Sequence, residues 1–185
     1  MADYYLISQL PSLDGISENT PLPITEEQFS ELCNRFLGKK AWSEFERLTL
    51  LPSRDYEKTR SDFINAWNEG ERNLRLALGK IRGERLKKSF NTGDKILPEQ
   101  FLQVARMAVE MDSPMEAEKF LNSHRLNFLE TLRPMDIFSE DYVFYYGLKL
   151  KLILRIRQFD TSSGEAAYKN IYHSIMNGEK LEAIQ

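Results

Sequence analysis

The side chains able to act as nucleophiles, soft metal ligands or near-neutral proton carriers are few: one cysteine, Cys33, and two histidines, His124 and His173. A zinc site built from Cys and His needs about four ligands, and these three fall short. Cys33 shares a stripe with Phe29, Leu32, Phe36 and Leu37 at steps of three and four. A thiol placed there is expected to be a small buried hydrophobe. His124 lies in the row Ala117, Phe120, Leu121, His124, Phe128, Leu132 and is expected to face inward as a hydrogen-bonded core residue. His173 stands beside Tyr172 and is expected to be half-exposed. The carboxylate pairs Glu26-Glu27 and Glu140-Asp141 fall in first helical turns, where the positive end of the helix dipole accounts for them. Gly79-Lys80-Ile81-Arg82-Gly83 lacks the spacing of a phosphate-binding loop and sits inside a helical pattern. From these groups no catalytic residue, metal site or cofactor is expected.

Recognition is the remaining chemistry, and here charge is informative. Between Arg72 and Lys88 stand seven cations (Arg72, Arg75, Lys80, Arg82, Arg85, Lys87, Lys88) against one acid, Glu84. A solvated helix face is the plain account. A phosphate-binding surface and a docking face for an acidic protein are the sharper ones. Aromatic residues do not interleave with this stretch, which weighs against nucleic acid. Arg72, Arg75, Arg82 and Arg85 are therefore the candidate partner-contact face. A second basic set, Lys149, Lys151, Arg155 and Arg157, alternates with Leu150, Leu152, Ile153 and Leu154, and its stems are expected to snorkel to one edge.

The elements that carry these residues are helical throughout. The chain of 185 residues is 42% hydrophobic, enough for a core, and its 25 basic and 28 acidic residues leave a net charge of −3. That balance disfavours a strongly basic nucleic-acid binder at whole-chain level. One cysteine excludes an internal disulfide and suits a reducing cytoplasm. The start lacks the basic segment of a signal peptide, and the most apolar stretch, 142–156, is cut by Lys149, Lys151 and Arg155, so no membrane span is expected.

Residues 1–24 read as an N-terminal arm and connector, the run 3–10 being either a short strand or a helix. Residues 25–185 read as a helical domain, with two halves meeting near 91–97. Thr25-Glu26-Glu27-Gln28 is a capping box, Gly38 a left-handed stop, and Ser113…Glu116 a second capping box. Residues 54–89 read as one long charged helix or as a pair broken at Gly70, Gly79 or Gly83; as one helix they would span roughly 54 Å, which points to an elongated outline. Asn91-Thr92-Gly93-Asp94 reads as a loop, Ser139 as a cap, 142–156 as the most buried helix, and 167–175 as a last one. The expected fold is an all-α, elongated helical bundle of six to eight helices. A weak internal pseudo-repeat at an offset of 54 lays 66–78 over 120–132, with Asn68/Asn122, Asn73/Asn127 and Leu78/Leu132 identical.

Several segments carry a resemblance. Tyr4-Tyr5-Leu6-Ile7-Ser8-Gln9-Leu10-Pro11-Ser12-Leu13 resembles the start of a bacterial family of unknown function encoded among V-type ATPase subunits. Glu71-Arg72-Asn73-Leu74-Arg75-Leu76-Ala77-Leu78, Pro114-Met115-Glu116-Ala117-Glu118-Lys119-Phe120-Leu121 and Asp141-Tyr142-Val143-Phe144-Tyr145-Tyr146-Gly147-Leu148-Lys149-Leu150-Lys151-Leu152 are similar to helices of the C-type subunit of V-type and archaeal ATPases, called the d-type in eukaryotes. The resemblance implies an all-helical, pseudo-repeated protein without catalysis of its own. Its implied place is between the rotor ring and the central shaft of a proton- or sodium-translocating complex, at the inner face of the cell membrane and held there through partners. The C-type family has three pseudo-repeats. This shorter chain either supplies about two of them or is a fragment. A helical scaffold or adaptor is the alternative, followed by a nucleic-acid binder using the 72–88 helix.

Overall fold

The computed structural model describes residues 2–16, 20–53, 57–88, 90, 96–158, 169, 172 and 173. Among them lie seven helices: α1 (Ala2–Gln9), α2 (Glu26–Phe36), α3 (Lys39–Glu46), α4 (Asp62–Arg85), α5 (Glu99–Glu110), α6 (Pro114–Thr131) and α7 (Glu140–Gln158). The described residues contain no strand. Lys169, Tyr172 and His173 have helical backbone, and the rest of the expected last helix and the 91–94 loop lie outside the described residues. No helix among the described residues is long and apolar enough to cross a membrane.

Local chemistry explains most boundaries. The Thr25 hydroxyl accepts from the Gln28 amide while the Gln28 side chain accepts from the Thr25 amide, completing the capping box at the start of α2. Ser113 accepts from the Glu116 amide at the start of α6, and Ser139 accepts from the Tyr142 amide at the start of α7. The ambiguous run at 3–10 is helical, with Leu6 fully buried.

Two boundaries differ from expectation. Gly38 has φ −66° and is the N-cap of α3, so it is no left-handed stop; α2 ends because Leu37 turns to extended backbone. The helix expected over 54–89 is the 24-residue α4, about 36 Å long, a length that fits across a compact globule of this size. Ser61 starts α4, its hydroxyl accepting from the Ile64 amide. At the other end Lys87 adopts φ 53°, with its amide donating to Glu84 O and that of Lys88 to Gly83 O. These are the paired bonds of a Schellman stop. They form here without the usual glycine.

The apolar side chains sort into two cores. The first gathers α1, the connector, α2, α3, α7, the start of α4 around Trp67, and the end of α6 at Leu129. The second joins the later part of α4 (Leu74, Ala77, Leu78) to α5 and to Leu121 near the start of α6. α1, α2, α3 and α7 thus form the body of one core and α5 that of the other. α4 and α6 belong to both. Between their contributions to the two cores lie the buried polar residues Asn68, Glu71, Asn73, Asn122 and Arg125. As expected, α7 is the most deeply buried helix, with Val143 to Leu150 all buried in succession.

Candidate functional site

The expected reactive groups do not converge. Cys33 is fully buried, and burial pushes its thiol up to about 12, so the thiolate nucleophile is absent near neutral pH. His124 packs edge-on against Phe101, and burial followed by the Arg125 charge holds its pKa below the ordinary histidine value. Its buried Nε2 has no hydrogen-bond partner among the described residues, so the histidine is inward-facing as expected but packed there instead of hydrogen-bonded. His173 is exposed beside Tyr172. Among the described residues no group of three or more His, Cys, Asp and Glu is placed to hold a metal ion.

The polar layer between the cores is built around a forked ion pair. Arg125 of α6 donates from Nε to Glu71 Oε2 at 3.0 Å and from Nη2 to Glu71 Oε1 at 3.1 Å. Its Nη1 donates to Asn122 Oδ1 at 3.0 Å. Arg155 of α7 reaches the same Asn122 oxygen and bonds Glu118 at 2.6 Å, joining a third helix to the network. The Glu71 and Arg125 side chains are 1% and 7% exposed, so water cannot screen them. Burial raises the Glu71 pKa against the opposing pull of Arg125. Next to Glu71, Gly70 has no room for a side chain, since a Cβ there would overlap the Phe128 ring.

A second cluster surrounds Lys149 on α7. Its ammonium lies 2.5 Å from Asp14, 2.8 Å from Glu130 and 3.3 Å from the Tyr145 hydroxyl, which itself donates to Glu130 at 2.7 Å. Burial opposes the Lys149 charge, but the bonds to Asp14, Glu130 and Tyr145 outweigh it and leave its pKa above the ordinary value. The Lys149 bond holds Asp14 below its ordinary value, and at Glu130 burial pushes upward but the bonds from Lys149 and Tyr145 outweigh it. Burial, helped by the Glu130 bond, pushes Tyr145 up to about 12. The Tyr146 hydroxyl donates to Pro11 O, and a cavity of about 200 Å³ opens beside these residues under Arg133. With its lysine kept protonated, its tyrosine kept neutral and its two carboxylates kept ionised, the cluster holds its charges fixed near neutral pH. It straps residues 11–14 onto α7.

The expectation that the basic residues of α7 snorkel to one edge is corrected by this arrangement. Lys149 turns to Asp14 and Glu130, Lys151 to Glu26 of α2, Arg155 to α6, and Arg157 to the Thr20 carbonyl. At about 100° per residue, Lys149 and Arg157 fall about 80° apart on one side of α7 and Lys151 and Arg155 about 40° apart on the other, so the four cannot share one edge.

The four arginines proposed as a contact face are all exposed on α4. They are not equivalent. Arg75 donates to Pro52 O at 2.8 Å, and Arg85 donates to Val109 O in the last turn of α5. The Arg72 and Arg82 guanidinium groups bond nothing among the described residues. Gly79 and Gly83, which make no phosphate loop, leave bare backbone on which Phe90 lies; a Cβ on Gly79 would overlap its ring. Sequence spacing missed the Lys149 cluster and the Glu71–Arg125 fork. Tyr145 with Lys149, four apart on α7, and Asn122 with Arg125, three apart on α6, carry the local signal, while Asp14 and Glu130, and Glu71 for the fork, arrive from other segments.

Comparison with known proteins adds no relative: no family model, curated protein or solved structure matches this chain.

Proposed function

We propose that this chain is a non-catalytic coupling subunit of a V-type rotary ATPase, joining the rotor ring to the central shaft. The observation that carries the proposal is the lateral lock between α4 and α6. Two helices that each enter both cores are bridged through their side chains by the buried Glu71–Arg125 fork, with Arg155 tying in α7. A part that transmits torque must resist shear between its halves. Close-packed helices with a directional buried ion pair supply that resistance. Of the segments similar to helices of the C-type family, 71–78 supplies Glu71 and 114–121 supplies Glu118, while Asn122, Arg125 and Arg155 lie just beyond the 114–121 and 141–152 segments on the same helices.

The partners are other subunits of the complex, and association with the membrane runs through them. Nucleic acid is not an expected partner. Tagged protein recovered from its native host is expected to bring down rotor-ring and shaft subunits. Deleting it is expected to leave ATP hydrolysis running while ion transport falls. Recovery of an intact ATPase without this chain, and of this chain without ATPase subunits, would refute the coupling role in favour of a helical adaptor.

A further inference from the structure

We propose that the outward row of α4 is a seat for an acidic amphipathic helix of a partner protein. This deepens the coupling role, on which it rests, by giving the partner contact its chemistry. Arg72, Arg75, Gly79, Arg82 and Leu86 recur at steps of three and four, the seam spacing of packed helices. The row is about 21 Å long at 1.5 Å per residue. Its arginines are exposed, Leu86 is 66% exposed, and Phe90 lies over the bare Gly79 and Gly83 backbone with 39% of its surface open.

Charge identifies the occupant. Arg47, Arg60, Arg106, Arg125, Lys149, Lys151 and Arg155 each pair with a carboxylate of this chain. Among the described residues no carboxylate pairs with Arg72, Arg75, Lys80, Arg82, Arg85, Lys87 or Lys88. The bond from Arg75 to Pro52 O orients that guanidinium without neutralising it. An uncompensated run of this kind carries self-repulsion that an anionic partner relieves. Arginine forks match carboxylates in bidentate fashion. The exposed Leu86 at one end and the Phe90 ring over Gly79 at mid-row add apolar contact that a phosphate backbone does not use, which favours a protein helix over nucleic acid. The occupant thus carries Asp or Glu opposite Arg72, Arg75 and Arg82, and an aliphatic residue opposite Leu86 and Phe90.

The test uses a fluorescein-labelled helical peptide of about 21 residues, long enough to cover the row with a turn to spare at each end, with Glu at the three-four positions and Leu at one end of that face. A scrambled peptide of equal composition, a labelled DNA duplex and phosphatidylserine-containing vesicles serve as competitors. The patterned peptide is expected to bind about 10-fold more tightly than the scramble and to weaken as salt screens the contact. Arg72→Glu with Arg82→Glu is expected to lower affinity by at least about 10-fold. Lys39→Glu with Lys40→Glu, exposed on α3, should leave it unchanged, and all variants should keep the wild-type circular dichroism. Equal binding of scramble and patterned peptide overturns the proposal, as does an unaffected Arg72→Glu/Arg82→Glu variant. So does tighter binding of DNA or vesicles lost in that variant. Recovery from the native host separates the two levels. If the variant still brings down ATPase subunits, the row is not the contact and the coupling role stands; if wild type brings down none while the peptide binds, the reverse holds.

Discussion

The Glu71–Arg125 fork and the Lys149 cluster both take a cation out of water, in opposite surroundings. Both partners of the fork are sealed. Around Lys149, which is 10% exposed, Asp14 is 64% and Glu130 38% exposed, beside an open cavity. A sealed pair has no solvent to fall back on, so losing one partner strands a charge. A half-open cluster lets water replace a missing group. The first fixes the register of two helices shared by both cores; the second straps an N-terminal segment onto α7.

The largest expected effect breaks the sealed pair. Arg125→Ala or Glu71→Ala should each cost about 3–5 kcal/mol in urea unfolding, while the joint apolar replacement Glu71→Leu/Arg125→Met should recover most of it. A small single-variant cost would show that the seam admits water and would erase the contrast. Next comes Gly70→Ala, which forces a methyl into the Phe128 ring and should cost about 1–3 kcal/mol. Adding Phe128→Leu should return part of that loss, as a double-mutant cycle would reveal.

Lys149→Met belongs to the half-open side and should cost less, about 1–2 kcal/mol at neutral pH. Asp14 and Glu130 have folded pKa values below their ordinary 3.8 and 4.5. Their contribution is therefore complete above those ordinary values and is lost as pH falls through the lowered ones. The gap between wild type and Lys149→Met should accordingly close on acidification, read from urea midpoints at a series of pH values. A gap that persists would place the stabilisation in packing of the lysine stem.

The smallest effect concerns His124, beside the sealed pair. Its folded pKa lies below 6.5, so the unfolded state takes up the proton first and stability declines as pH falls below that value. Glu71, raised by burial, contributes with the opposite sign. The difference between wild type and His124→Phe isolates the histidine: the variant should lose this part of the slope between about pH 7.5 and 5.5. Equal slopes would mean the imidazole is hydrated in the folded state.

Much of the helical layout is readable from local pattern. The Thr25 capping box, the Ser113 and Ser139 caps and the continuous apolar run of α7 depend on residues within a turn of one another, so spacing identifies them. The end of α4 escapes this logic, because Lys87 takes a left-handed conformation that its side chain disfavours. Gly70, Gly79 and Gly83 likewise look like helix breakers until Phe128 and Phe90 are seen to lie on them. For the candidate face, sequence charge located the run from Arg72 to Lys88. It did not separate Arg75 and Arg85, tied to Pro52 and Val109, from the unengaged Arg72 and Arg82.

Helix class, most caps, the burial of Cys33 and the site of excess positive charge were thus written in the order of residues. They follow from side-chain chemistry and a period of about 3.6 residues. The formation of two cores, the meeting of Glu71 with Arg125 across 54 residues, and the convergence of Asp14 and Glu130 on Lys149 were settled only by how the helices pack. The physical reason is that the partner of a buried charge is set by where helices cross in space, and a crossing leaves no periodic trace in either helix.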